Sequence, residues 1–300
     1  MKIDYVDLKQ QWLSERKDLI PIIDKVLSTG KFIGGDEVEK FEHNIKKITN
    51  TKYSVSLNSG TDALVIALTL LGVKKGDEVI TPPNSFVASA SCIPHIGAKP
   101  IFVDVEDDLN IDPNLIESKV TKKTKAIIAV HLTGKMAKMD KINKIAKKYN
   151  IKVIEDAAQS IGSKLNHQPA GSFGNVGCFS AHPLKNLNAF GDSGYLVTNS
   201  KIISNIAKQI SNHGMENRNK VKYFGYVSRM DNLQAAILNY HLKNLNNVIK
   251  IRRRNAKLYN DNLNTNYLRL PSEDKLSFDT YHTYVVKTKK RQNLINYLKS

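Results

Sequence analysis

The chain has 300 residues, 41% apolar and 24% charged, and its 45 Lys and Arg against 28 Asp and Glu leave a net charge of +17. That length suggests two domains of about 150 residues and lets the chain bury a sizeable core without disulfide or metal staples. The two cysteines, Cys92 and Cys178, make neither a disulfide framework nor a zinc motif and suit a reducing, cytoplasmic setting, while the positive balance brings a polyanionic partner, nucleic acid included, into consideration.

Residues 1–11 alternate charged and apolar side chains and lack the apolar core of a signal peptide. Val/Ile-rich runs at 53–57, 78–81, 100–103, 126–132, 153–155, 177–180 and 195–198 read as buried parallel strands. Helical patterns fill the gaps at 62–71, 86–93, 139–149 and 202–212. This alternation is the rhythm of an α/β fold. The longest uncharged stretch, 79–98, contains Pro82, Pro83 and Pro94 and cannot form a membrane span. Past Met230 one long helical pattern covers 231–258, followed by a turn at Pro271 and a strand at 281–287. That change divides the chain into a large domain at 1–240 and a small C-terminal domain at 241–300.

Three places could carry chemistry. Leu57-Asn58-Ser59-Gly60-Thr61-Asp62-Ala63-Leu64 sets a small, hydroxyl-bearing turn between a strand and a helix, where free N–H groups and the helix dipole suit a phosphate. Ser59 or Thr61 reads equally as a plain helix cap. Neither nucleotide fingerprint is present, so a phosphate site here, if real, belongs to something other than a common nucleotide. In Val153-Ile154-Glu155-Asp156-Ala157-Ala158-Gln159, a carboxylate ends a buried strand, the place where open α/β sheets keep ligands. Asp156 should face a cation there, or else cap a helix. Lys185 follows Phe179-Ser180-Ala181-His182-Pro183-Leu184 among uncharged neighbours, which lowers a lysine pKa and favours Schiff-base chemistry. A phosphate cradle, a strand-end Asp and a later lysine together are the parts that hold pyridoxal phosphate.

With these residues in view, the chain resembles the DegT/DnrJ/EryC1/StrS family of pyridoxal-phosphate aminotransferases, which act on nucleotide-linked keto-sugars. The likeness runs from Asp4-Tyr5-Val6-Asp7-Leu8 to Tyr281-His282 and is most specific at Ser59 to Leu64, Glu155 to Gln159, Gly171-Ser172-Phe173-Gly174 and Phe179 to Leu187. It implies a type I fold with a mostly parallel sheet, a small C-terminal domain and a homodimer with shared active sites. It further implies that Lys185 forms the Schiff base and shuttles the proton, and that Asp156 pairs with the pyridinium nitrogen. Gln159 would contact the phenolic oxygen, Gly60, Thr61 and Ser180 would hold the phosphate, and Phe86, which otherwise reads as core, would stack on the ring. The implied reaction takes an amino group from glutamate and passes it to the keto-sugar by ping-pong kinetics.

Some positions depart from the family pattern. Val227 stands where relatives carry an asparagine that reaches the partner subunit's cofactor phosphate, a loss of about 1.5–3 kcal/mol. Ser193 replaces a glycine, a change that matters only if the position needs a positive φ. Relatives continue past residue 300 into a closing segment, so the small domain reads as incomplete. These departures raise the alternative of a catalytically impaired relative. The cluster Lys250-Ile251-Arg252-Arg253-Arg254 raises that of a nucleic-acid-binding regulator, although it reads first as a solvated helix face.

Overall fold

A computed structural model describes residues 5–299. In chain order its elements are α1 (Leu8–Ser28), α2 (Asp36–Thr49), β1 (Tyr53–Leu57), α3 (Gly60–Leu70), β2 (Glu78–Thr81), α4 (Ala88–His95), β3 (Lys99–Phe102), α5 (Pro113–Ile116), β4 (Thr124–Val130), α6 (Met139–Tyr149) and β5 (Lys152–Asp156). Then come β6 (Lys164–Leu165), β7 (Gln168–Pro169), β8 (Val176–Ser180), β9 (Gly194–Thr198), α7 (Lys201–Ile210), β10 (Met215–Asn217), β11 (Lys220–Val221), α8 (Asn232–Leu242), α9 (Leu245–Asn262), β12 (Ser277–Phe278) and α10 (Arg291–Lys299).

The seven strands expected between residues 53 and 198 all form, and they pair in the order β1-β9-β8-β5-β4-β2-β3. The pairs β2·β3, β2·β4, β4·β5 and β5·β8 are parallel. Only β9 runs against its neighbours, β1 and β8. Successive side chains point to opposite faces, so each apolar strand feeds two cores. Ile127, Val153, Phe179 and Val197 join Phe41 of α2 and Ile142 of α6 on one face. Ile128, Ile154, Cys178 and Leu196 join Leu64 and Leu68 of α3 and Ala207 of α7 on the other. Helices on both faces and carboxyl ends gathered on one side leave the crevice where such sheets bind ligands.

The structure corrects the sequence reading in four places. First, α1 and α2 had no expected counterpart; α1 carries Pro21 in its interior, which hides its periodicity. In α2 the buried Phe41, Ile45 and Thr49 recur every fourth residue, a signal that could have revealed it. Second, the expected helix at 231–258 is two helices, with Lys243 and Asn244 between them. Most of α8 is buried against α1 and α2, whereas α9 buries only Leu245, Ile249 and Ala256. Third, residues 281–287 form no strand; Lys287 bridges Arg269, and Tyr281 has φ 47°, which ends any extended run.

Fourth, the basic cluster is not simply a solvated face. Arg252 donates to the carbonyls of Tyr281 and His282, and Arg253 pairs with Glu273 and donates to the carbonyl of Asp279. Two of its cations therefore fasten the segment around residue 280 to α9. No helix among the described residues is long and apolar enough to cross a membrane.

Candidate active site

A cavity of about 510 Å³ opens at the carboxyl ends of the parallel strands and is lined by Gly60, Thr61, Phe86, Asp156, Gln159, Ser180 and Lys185. These seven residues, singled out from four separated stretches of sequence, meet in one place. His182, Ser193 and His282 also line it.

The turn into α3 supplies one wall. Ser59 caps the helix by accepting the Asp62 N–H at 3.0 Å, and its carbonyl accepts the Ala63 N–H at 3.1 Å. The N–H groups of Gly60 and Thr61 have no acceptor among the described residues and point out of the helix start. Ser180 closes on them from the end of β8: a Cβ on Gly60 would lie 2.7 Å from Ser180 Cβ. Ser180 Oγ accepts the His182 N–H at 3.3 Å, which leaves its own O–H to donate outward. The turn is fixed from behind by Gly194, where a Cβ would lie 2.2 Å from the Ser59 carbonyl carbon. Gly194→Ala must displace that backbone, so we expect pyridoxal phosphate to bind about tenfold or more weakly. Fluorescence titration checks this; unchanged affinity would show that the turn is not part of the binding site.

Ser193, by contrast, does not adopt a positive φ, so serine in place of glycine brings no strain there.

Asp156 ends β5 buried, with Oδ2 accepting from Ser89 Oγ at 2.6 Å and Oδ1 from the Ala158 N–H at 3.2 Å. In both bonds the Asp156 side chain is the acceptor. Burial, with the negative field of Asp156 adding to it, pushes the Cys92 thiol up to about 12, so that cysteine stays protonated. Gln159 Oε1 accepts the Thr133 N–H at 2.8 Å, which turns the amide NH₂ the other way as a donor. Lys185 is half-buried, and desolvation holds its amine below the usual lysine range despite the opposing pull of Asp156. Phe86 lines the cavity and the residue is 68% exposed, so it is not the core aromatic that its place at a helix start suggests.

Behind this wall lies a group that sequence reasoning passed over. Glu155, wholly buried, accepts the N–H groups of Gly171, Phe173 and Gly174 at 2.8, 2.7 and 2.6 Å and the His131 Nε2–H at 2.9 Å. His131 Nδ1 in turn accepts the Ala137 N–H at 3.2 Å, which places the ring proton on Nε2. The Gly171-Ser172-Phe173-Gly174 motif is thus a loop wrapped around one carboxylate, and Gly171 allows it through φ 87°. Val227 does not line the cavity and is exposed, bridging Asn212.

Three relatives frame this geometry. A pleiotropic regulatory protein of Geobacillus stearothermophilus is 38% identical over 303 residues, covering 100% of this chain and 82% of its own length. The UDP-2-acetamido-2-deoxy-3-oxo-D-glucuronate aminotransferase of Pseudomonas aeruginosa is 38% identical over 299 residues, covering 99% of this chain and 83% of its own length. The crystal structure of DesV from S. venezuelae, in complex with a ketimine intermediate, superposes with a TM-score of 0.96 at 32% identity, covering 99% of this chain and 81% of that one. Residues 14–300 match the DegT/DnrJ/EryC1/StrS profile, and the chain belongs to that aminotransferase family.

Proposed function

We propose that the protein is a pyridoxal-phosphate-dependent aminotransferase that transfers an amino group from glutamate to a nucleotide-linked keto-sugar. The observation that carries this reading is the single cavity in which Lys185, Asp156, Gln159 and the Gly60–Ser180 contact meet. Those residues fit the cofactor. The Gly60 and Thr61 N–H groups and the Ser180 hydroxyl would hold its phosphate, Asp156 its ring nitrogen and Gln159 its phenolic oxygen, while Phe86 would cover a ring face.

When bound, the cofactor supplies an electron sink for removal of a proton from the substrate carbon. Asp156, kept as an acceptor by Ser89 and Ala158, holds the ring nitrogen protonated. Lys185 offers a neutral amine at lower pH than an exposed lysine does, first to anchor the cofactor and then to take up and return the proton. Residues 1–240 carry these groups, and residues 241–300 bring His282 over them. The net charge of +17 favours approach of a nucleotide diphosphate.

The working unit in this reading is a cytoplasmic homodimer. Phe32, Ile33, Phe224, Tyr226 and Val227 are exposed apolar side chains that a second copy would cover. The two buried free cysteines suit a reducing compartment.

Protein supplied with pyridoxal phosphate should absorb visible light, lose that colour with glutamate, and carry the cofactor on Lys185 after borohydride reduction, as read by peptide mass mapping. Colour that glutamate cannot bleach would mark an impaired relative. A protein that stays colourless and binds duplex DNA in a salt-dependent way would sink the enzyme reading.

A further inference from the structure

His282 lines the cavity but has no part in the roles above. It is delivered by a segment fastened from several sides. The Thr280 N–H donates to the Gly134 carbonyl at 3.1 Å, and Thr280 Oγ1 lies 2.9 Å from Ser163 Oγ. Arg252 Nη1 donates to the carbonyls of Tyr281 and His282 at 3.4 and 3.0 Å. Gly134 lets the segment approach, since a Cβ there would lie 2.7 Å from Thr280 Oγ1 and 3.0 Å from the His282 backbone nitrogen. Tyr281 is held at φ 47°, a conformation that a tyrosine adopts only when its surroundings impose it.

The same contacts decide the ring's proton. Asn186 Nδ2 donates to the Thr280 carbonyl at 3.4 Å, so its Oδ1 is the atom 3.4 Å from His282 Nδ1. An amide oxygen only accepts, which puts the hydrogen on Nδ1 and leaves Nε2 with a bare lone pair. Nε2 has no hydrogen-bond partner among the described residues. Burial, with the Lys185 and Arg252 cations adding to it, lowers the imidazole to about 3 and keeps it neutral.

We propose that His282 is a specificity-determining contact whose Nε2 accepts a hydrogen bond from the hydroxyl or amide N–H on the ring carbon beside the substrate carbonyl. This rests on the keto-sugar reading above. Lys185 must reach the reacting carbon, and His282 shares its cavity closely enough to feel its charge. In this proposal the atoms that meet His282 are the substituents next to that carbon. On a sugar ring those are hydroxyl or acylamino groups, both donors. A bare nitrogen lone pair accepts from such donors and offers nothing to a carboxylate, so the contact serves the sugar half-reaction and is idle in the glutamate half-reaction.

The test uses cofactor-loaded enzyme, glutamate, and two probes: a dTDP-linked 3-keto-6-deoxyhexose with a C4 hydroxyl and its 4-deoxy counterpart. Wild type should favour the hydroxylated probe by about 10- to 100-fold in kcat/KM. His282→Phe should erase that preference, with a loss on the sugar half-reaction about tenfold or more greater than on the glutamate half-reaction. His282→Gln, whose Oε1 can stand near the Nε2 position, should restore part of it. A preference that survives in His282→Phe, or equal losses in both half-reactions, overturns the proposal and leaves the aminotransferase reading standing if glutamate still bleaches the colour. A wild type that never takes colour overturns that reading itself.

Discussion

Alanine at position 185 should lower transamination by roughly 10³-fold or more while leaving the fold intact, because in the proposed mechanism one amine serves as both nucleophile and proton carrier. Single-turnover absorbance with glutamate measures the loss, and denaturant unfolding measures the fold. The stability side has a definite sign. Desolvation depresses the folded-state pKa of Lys185, so at pH below the ordinary lysine value proton binding favours the unfolded chain. Removing the amine relieves that penalty, and the relief disappears as pH rises above the unfolded lysine pKa. Lys185→Ala should therefore unfold no earlier than wild type at neutral pH. Substantial residual turnover, or early unfolding, would mean that the lysine does structural rather than chemical work.

Glu155→Gln should destabilise the protein by about 3 kcal/mol or more, the cost of leaving buried donors without a partner. The carboxylate accepts two N–H groups on Oε1 and one N–H group plus the His131 ring on Oε2. Glutamine keeps the volume but has one acceptor oxygen, so whichever way the amide turns, its NH₂ meets two donors. Because Glu155 adjoins Asp156 on β5, the damage should reach the site, and cofactor affinity should fall with stability. A denaturant midpoint equal to wild type would show that the loop of residues 171–174 does not depend on this carboxylate.

The chemistry-bearing residues were legible because each announces itself locally. A small hydroxyl-rich turn before a helix, a carboxylate ending a Val/Ile run and a lysine without charged neighbours need no long-range information. Their grouping followed from strand order, since parallel strands place their carboxyl ends on one side. Glu155 was not legible as a loop organiser. Its partners lie 16 to 19 residues on, and glutamate beside a buried Asp reads as an ordinary strand end. His282 and Arg252 were missed for the same reason. Arg252 sits in a run of cations that looks solvated, and its bonds go to backbone carbonyls 29 and 30 residues away.

Taken alone, the sequence determined the α/β class, the seven strands of the main sheet and the candidate lysine, aspartate and small hydroxyl-rich turn that the fold brings into one cavity, because apolar periodicity and turn chemistry act over a few residues. Only the tertiary structure decided the direction of β9, the break between α8 and α9, the loss of the strand at 281–287 and the tautomer of His282. Those features depend on which distant donor or acceptor a group meets once the chain has closed. The +17 charge with which the sequence reading began shows the same division: its size was plain from composition, but the use of Arg252 and Arg253 as clamps was set by packing.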